Sequence, residues 1–140
     1  MKIFKRLALS VSALCLSALL LSGCIIEDPV NTKLDGVWTR GDIDVRFQGN
    51  YATFTRIEPN CSWDKVRAKG GIRIGDKKFK NITGGNLHWT GLSLTYNTST
   101  YEISSSSWHD CTITMDEDGK TIEIYTYDVE SNGRTIYSRK

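Results

Sequence analysis

The side chains best suited to catalysis or metal binding are few in this chain of 140 residues. It has two histidines, His88 and His109, and the second lies just after a run of four serines, Ser104–Ser107. A zinc site usually needs three or four nitrogen, sulfur or oxygen ligands, and a nucleophilic triad needs a histidine held between a nucleophile and a carboxylate. Adjacency in sequence does not provide that geometry, and a serine run is typical of a loop. We therefore expect no enzymatic activity, no bound metal and no cofactor.

A cysteine, Cys24, stands at the end of an N-terminal export signal. Lys2, Lys5 and Arg6 give the signal a positive start, and residues 7–21 then form an apolar run without a charge. Two small residues precede the cysteine. This order predicts a cleaved signal and not a membrane span.

The segment Leu21-Ser22-Gly23-Cys24 resembles the lipobox of bacterial lipoproteins. The resemblance implies cleavage before the cysteine, fatty acylation such as palmitate on that residue, and a membrane anchor. It also implies the outer membrane as the location in the cell envelope, because Ile25 and not Asp follows the cysteine. The chain then divides into a signal (1–23), a lipidated cysteine with its tether (24–33) and one domain (34–140).

The lipobox resemblance also bears on the other cysteines. Cys15 would leave with the signal and Cys24 would carry lipid, so Cys61 and Cys111 remain in an oxidising compartment. We expect them to form a disulfide that stabilises the domain by on the order of 4 kcal/mol. The alternative is a pair of free or catalytic thiols, although the chain has no Cys-x-x-Cys motif to support it.

The charge distribution argues against nucleic acid as a partner. The chain has 18 Lys and Arg against 16 Asp and Glu, but three of the bases lie in the signal, so that without it the acids exceed the bases by one. Bases concentrate in residues 65–80 and acids in residues 110–130. We interpret these stretches as two solvated faces. A basic face that meets an acidic envelope component is the alternative.

Strand patterns dominate the domain. Ile43, Val45 and Phe47 alternate with charged residues, which is typical of a half-buried strand, and similar segments recur at short intervals between Gly, Asn and Asp turns. Gly41, in the tripeptide Arg40-Gly41-Asp42, is expected to make one such turn. The pattern also suggests weaker strands at Trp63–Ala68, Ile72–Ile74 and Tyr101–Ile103. No segment of the domain has apolar residues that recur at the spacing of a helix. We predict an all-β fold, an antiparallel up-and-down barrel of about eight to ten strands.

The first of these strands opens with Gly36-Val37-Trp38, which resembles the Gly-x-Trp motif at the start of lipocalins and related small barrels. In that family the tryptophan closes one end of the barrel, and an arginine of the last strand packs across it. The resemblance implies a barrel-closing pair of Trp38 and Arg139, and it implies that the barrel binds a small apolar or amphipathic ligand.

Four aromatic residues are candidates to line such a ligand cavity: Trp89, Tyr96, Tyr101 and Trp108. A barrel of eight strands is just wide enough to be filled by side chains or to hold one small ligand, and the sequence leaves both open. The alternative function is a non-enzymatic interaction with an envelope protein, as an inhibitor or an assembly factor. A solvent-open cavity favours the ligand, and a filled barrel with an exposed patch favours the protein partner.

Overall fold

Eight antiparallel strands follow one another in chain order and close into a barrel in the computed structural model, which describes residues 33–130 and 133–140. The strands are β1 (Gly36–Thr39), β2 (Ile43–Gln48), β3 (Tyr51–Ile57), β4 (Lys77–Gly85), β5 (His88–Leu94), β6 (Trp108–Met115), β7 (Thr121–Thr126) and β8 (Arg134–Arg139). β8 pairs with β1 and completes the ring. The predicted all-β up-and-down barrel is confirmed, whereas the signal, Cys24 and the tether before Lys33 lie outside the described residues.

Alternating side chains build the barrel wall. Ile43, Val45 and Phe47 of β2 are all buried, as are Ile122 and Ile124 of β7. Side chains along a strand point to opposite faces with a period of two, so one face of each strand supplies the interior. The core therefore lies inside the barrel, where rings such as those of Phe47 and Phe79 stack at a centroid distance of 5.6 Å.

One end of the barrel, which we call the closed end, contains the start of the described chain and the tight turns. Trp38 is fully buried there, and its Nε1 donates a hydrogen bond to the carbonyl of Leu34 at 2.8 Å. The guanidinium carbon of Arg139 lies 4.2 Å from the centroid of the Trp38 indole. The two residues named from the sequence are also direct neighbours in the β1–β8 pairing.

Backbone carbonyls hold Arg139 in this position. Its guanidinium donates hydrogen bonds to the carbonyls of Lys33, Asp35 and Gly119 at 2.8–3.0 Å. Gly36 has a φ of +123°, and a Cβ there would lie 3.2 Å from Nη1 of Arg139. The glycine of the Gly-x-Trp motif thus leaves room for the arginine that covers the tryptophan.

A short helix, α1 (Ser62–Ala68), connects β3 to β4, where the sequence suggested a strand. That prediction is wrong. Trp63 and Val66 are three residues apart, so they face the same side of a helix, and both are buried against the core. The suggested strands at Ile72–Ile74 and Tyr101–Ile103 are also absent, and both segments belong to loops. In the described part of the chain, no helix has the length and apolar character needed to cross a membrane.

Candidate functional site

The end of the barrel opposite the closed end contains the longer connections. Because successive strands alternate in direction, the β1–β2, β3–β4, β5–β6 and β7–β8 connections all meet here. They include α1, residues 95–107 between β5 and β6, and residues 127–130 and 133 between β7 and β8. We call this the loop end.

A pocket of about 670 Å³ opens at the loop end. Its volume falls within the range of about 300–1,000 Å³ that is usual for small-molecule sites. Residues from all four loop-end connections and from β4 to β8 line it, among them Arg40, Trp63, Lys78, Phe79, Ser93, Leu94, Tyr96, Glu102, His109, Asp128 and Glu130. The interior is therefore filled toward the closed end and hollow toward the loop end.

The most unusual residue of the pocket is Lys78, which is only 5% exposed. Its Nζ donates hydrogen bonds to Ser93 Oγ at 3.0 Å and to the carbonyl of Leu94 at 2.9 Å. The same nitrogen lies 4.4 Å from the ring centroid of Phe79 and 5.2 Å from that of Trp63. We call Lys78, Ser93 and Leu94, together with Arg40, the pocket floor.

Lys78 has no carboxylate within ion-pair distance among the described residues. Burial in this apolar setting, and then the positive charge of Arg40, lower the pKa of Lys78 to about 7. An uncompensated buried ammonium is unfavourable unless its hydrogen bonds and its charge are satisfied. The floor of the pocket thus contains a buried lysine that has no ion-pair partner among the described residues.

Arg40 differs from Lys78 because it has an acidic partner. Its Nε and Nη2 donate to the two carboxylate oxygens of Asp42 at 2.6 and 3.0 Å. Burial opposes the ionised form of Asp42, but Arg40 outweighs it and lowers the pKa of that carboxyl group. Gly41 between them has a φ of +107°, so the predicted turn is confirmed.

Tyr137 lies behind Arg40 in the core and is 1% exposed. Its hydroxyl makes no hydrogen bond within the described part of the chain. Burial raises the pKa of Tyr137 to about 12, although the nearby charge of Arg40 works in the opposite direction. A neutral phenol therefore lies beside Arg40 beneath the pocket floor.

A row of aromatic rings forms one wall of the pocket. Trp63 of α1 meets Phe54 at a centroid distance of 5.1 Å and meets Tyr96 edge-on at 4.7 Å. Tyr96 in turn stacks on Tyr101 at 5.9 Å, and Lys65 Nζ lies 5.2 Å from the Tyr101 ring. These contacts attach α1 to the β5–β6 loop, so they fix the shape of the wall.

The serine run shapes the same loop. Ser104–Ser107 includes a single 3-10 turn, in which Ser104 Oγ accepts a hydrogen bond from the backbone of Ser106 and Ser107 Oγ accepts one from the backbone of Ser104. Thr95 closes the loop, since both its amide and its hydroxyl donate to the carbonyl of Ser107. The hydroxyls of Ser104, Ser107 and Thr95 thus hold the loop together, and the same three residues line the pocket.

Of the four aromatic residues suggested to line a cavity, the structure brings only Tyr96 to the pocket wall. Trp89 is fully buried in the core, and Tyr101 supports Tyr96 from behind. Trp108 lies beneath Lys80, whose Nζ is 4.2 Å from its ring centroid, and does not line the pocket. The prediction was wrong for these three because an aromatic side chain in a barrel can fill the core or cover its outside as readily as line a cavity.

The predicted disulfide is also wrong, because both Cys61 and Cys111 are free thiols. Cys61 precedes α1, and its sulfur lies 3.8 Å from the carbonyl of Asp42. Cys111 is buried in the middle of β6, where burial raises its pKa to about 11. Two cysteines left over by elimination need not be neighbours, and a thiol with so high a pKa is unreactive.

The histidines lie apart from each other. His88 is exposed, with its Nδ1 3.3 Å from Thr114 Oγ1, whereas His109 is half-buried, lines the pocket and lies opposite Ser93 in the β5–β6 pairing. Among residues 33–130 and 133–140, no three His, Cys, Asp or Glu side chains cluster closely enough to hold a metal ion.

Sequence reasoning missed the pocket floor. Lys78 is one of seven bases between residues 65 and 80, and no local pattern separates it from its exposed neighbours. Arg40 was assigned only to a turn. The sequence signal for this part of the floor was the spacing of Arg40 and Asp42, because two residues of opposite charge on either side of Gly41 can form an ion pair.

Comparison with known proteins gives no relative for this chain: no protein-family model, no curated protein and no solved structure matches it.

Proposed function

We propose that this protein is a lipid-anchored envelope protein whose barrel binds one small amphipathic molecule in the loop-end pocket. The observation that carries the binding proposal is the pocket itself, about 670 Å³ in volume, in which a cluster of aromatic rings lies among mostly polar and charged side chains. Its volume is usual for a small-molecule site, and the combination of aromatic rings with polar groups suits an amphipathic molecule. The anchor is supported by the lipobox-like segment that ends at Cys24.

Native mass spectrometry of the protein purified from its host tests the binding proposal. We expect a non-covalent adduct of a few hundred daltons that is lost on denaturation. A protein that carries no adduct and binds none from a host extract would contradict it.

Metabolic labelling with palmitate tests the anchor separately. We expect label in the wild-type protein and none in Cys24→Ser. Labelling of both proteins, or of neither, would contradict the anchor without touching the pocket.

A second candidate function is binding to an envelope protein through the outer face of β7 and β8. Tyr125, Tyr127 and Ile136 are 42–45% exposed, and the two tyrosine rings meet at 4.8 Å. Exposed aromatic groups of this kind are enriched at protein interfaces. A photo-cross-linker placed at position 127 in intact cells tests this function. Capture of one envelope protein, and loss of that cross-link in Tyr125→Ser, would favour it.

A further inference from the structure

The pocket floor carries one more positive than negative charge. Arg40 and Asp42 neutralise each other through two hydrogen bonds, which leaves the ammonium of Lys78 without a counter-charge in the described part of the chain. The acids that line the pocket, Glu102, Asp128 and Glu130, are exposed. Water and salt screen those acids, whereas the floor is buried.

Within the described part of the chain, Lys78 also has one N–H donor without an acceptor. An ammonium group has three N–H bonds, and Ser93 Oγ and the Leu94 carbonyl accept two of them. The hydroxyl of Ser93 accepts from Lys78 and keeps its own hydrogen to donate. Two donors thus converge at the floor of a pocket that is open to solvent.

From this geometry we infer that the ligand carries a single negative charge, a carboxylate, which binds Lys78 and Ser93 at the pocket floor while its apolar or aromatic body lies against Trp63 and Tyr96. The inference rests on the proposed function, since it names the class of ligand for the same pocket. A carboxylate can accept both hydrogen bonds and supplies the one charge that the floor lacks. A dianion would bring a second charge with no unpaired cation to meet it, and an amine would be repelled.

The apolar wall decides between an organic acid and a simple inorganic anion. Tyr96 is half-buried and lines the pocket beside the buried Trp63 and Leu94, so its ring offers contact area that only a ligand with an organic body can use. An inorganic anion would have to approach past the acidic residues Glu102, Asp128 and Glu130, and it would gain no contact with the aromatic ring in return. We therefore expect inorganic phosphate to compete weakly or not at all.

Calorimetric titration with three probes of the same body tests the inference: 4-phenylbutyrate, 4-phenylbutan-1-ol and 4-phenylbutylamine. The full processed protein would be used in lipid nanodiscs, with empty nanodiscs subtracted. We expect the acid to bind at least tenfold more tightly than the alcohol, and the amine to bind most weakly. In Lys78→Met the acid should lose this advantage while the alcohol binds as before.

Lys77→Met is the matched control, because Lys77 is an exposed neighbour whose Nζ lies 4.8 Å from the ring centroid of Tyr51. It should leave all three affinities unchanged. Equal binding of acid and alcohol, or an acid preference that survives Lys78→Met, would overturn the carboxylate inference and leave the proposed pocket function intact. Failure of all three probes would contradict the inference too, and a host-purified protein without an adduct would then contradict the pocket function as well.

Discussion

The two ends of the barrel treat a cation in opposite ways. At the closed end, Arg139 lies over Trp38, and backbone carbonyls accept its hydrogen bonds. At the loop end, Lys78 is buried beside aromatic rings and has no ion-pair partner among the described residues. The two ends thus differ in how they place a basic residue: three backbone carbonyls accept the hydrogen bonds of the arginine, whereas the lysine has two hydrogen bonds and is buried at a cost in stability.

The largest effect should come from removing the closing tryptophan. Trp38→Ala should lower the free energy of unfolding by roughly 3–5 kcal/mol, because it leaves a cavity beneath Arg139 in a region with nothing to fill it. Urea denaturation would measure the change. Trp63→Ala is the matched variant at the loop end. Trp63 is also buried, but the space that it vacates opens into the pocket and can fill with water, so the loss of stability should be smaller. Equal losses of unfolding free energy in Trp38→Ala and Trp63→Ala would contradict the difference between the two ends.

Lys78→Met should stabilise the protein by roughly 2–4 kcal/mol at pH 6, even though it abolishes the acid preference. The pKa of Lys78 is lowered to about 7 from an unfolded value of 10.5, so the unfolded chain binds more protons between these limits and stability rises with pH. The gain from the substitution should therefore be greatest below pH 7 and shrink toward pH 10. Denaturation at pH 6 and pH 9 checks this, and a loss of stability at pH 6 would show that the lysine is structural.

Binding of the acid probe should weaken as the pH rises above 7. The free protein must protonate Lys78 to receive a carboxylate, so affinity should fall roughly tenfold from pH 7 to pH 8.5, while the alcohol shows no such change. Arg40 and Asp42 keep their charges over this range, and the Cys111 thiol, with a pKa of about 11, stays protonated. His109 also lines the pocket and lies opposite Ser93, so His109→Gln is the control, and it should retain the profile if Lys78 alone is responsible. A profile that disappeared in His109→Gln would assign it to the histidine.

The smallest effect should come from Arg139→Lys at the closed end. A lysine keeps the charge but cannot reach three carbonyls in a planar fork, so the expected loss of stability is about 1 kcal/mol. The affinity for the acid probe should not change. A change in affinity would mean that the two ends are coupled through the core.

The strands could be predicted because a strand is recognised from the alternation of apolar and polar residues within a few positions of the chain. Ile43, Val45 and Phe47 show it directly, and the Gly-x-Trp start with a late arginine indicated which residues would meet across the β1–β8 seam. The helix could not be predicted from two buried residues, Trp63 and Val66, because seven residues are too few for a helical period to stand out.

The pocket floor was beyond prediction for a different reason. Lys78, Arg40 and Ser93 come from three separate parts of the chain, and only barrel closure brings them together. The disulfide failed in the same way: the compartment and the count of cysteines suggested a bond, but the fold decides whether two sulfurs meet.

The hydrogen bonds from Arg139 to Lys33 and Asp35 have a mechanical consequence. They fasten the last strand to the segment through which the chain enters the barrel, so a pull applied upstream of Lys33 is shared by both terminal strands and does not peel β1 away alone. That load enters at the closed end. The chain thus enters the barrel at its base, and the mouth of the pocket opens at the opposite end.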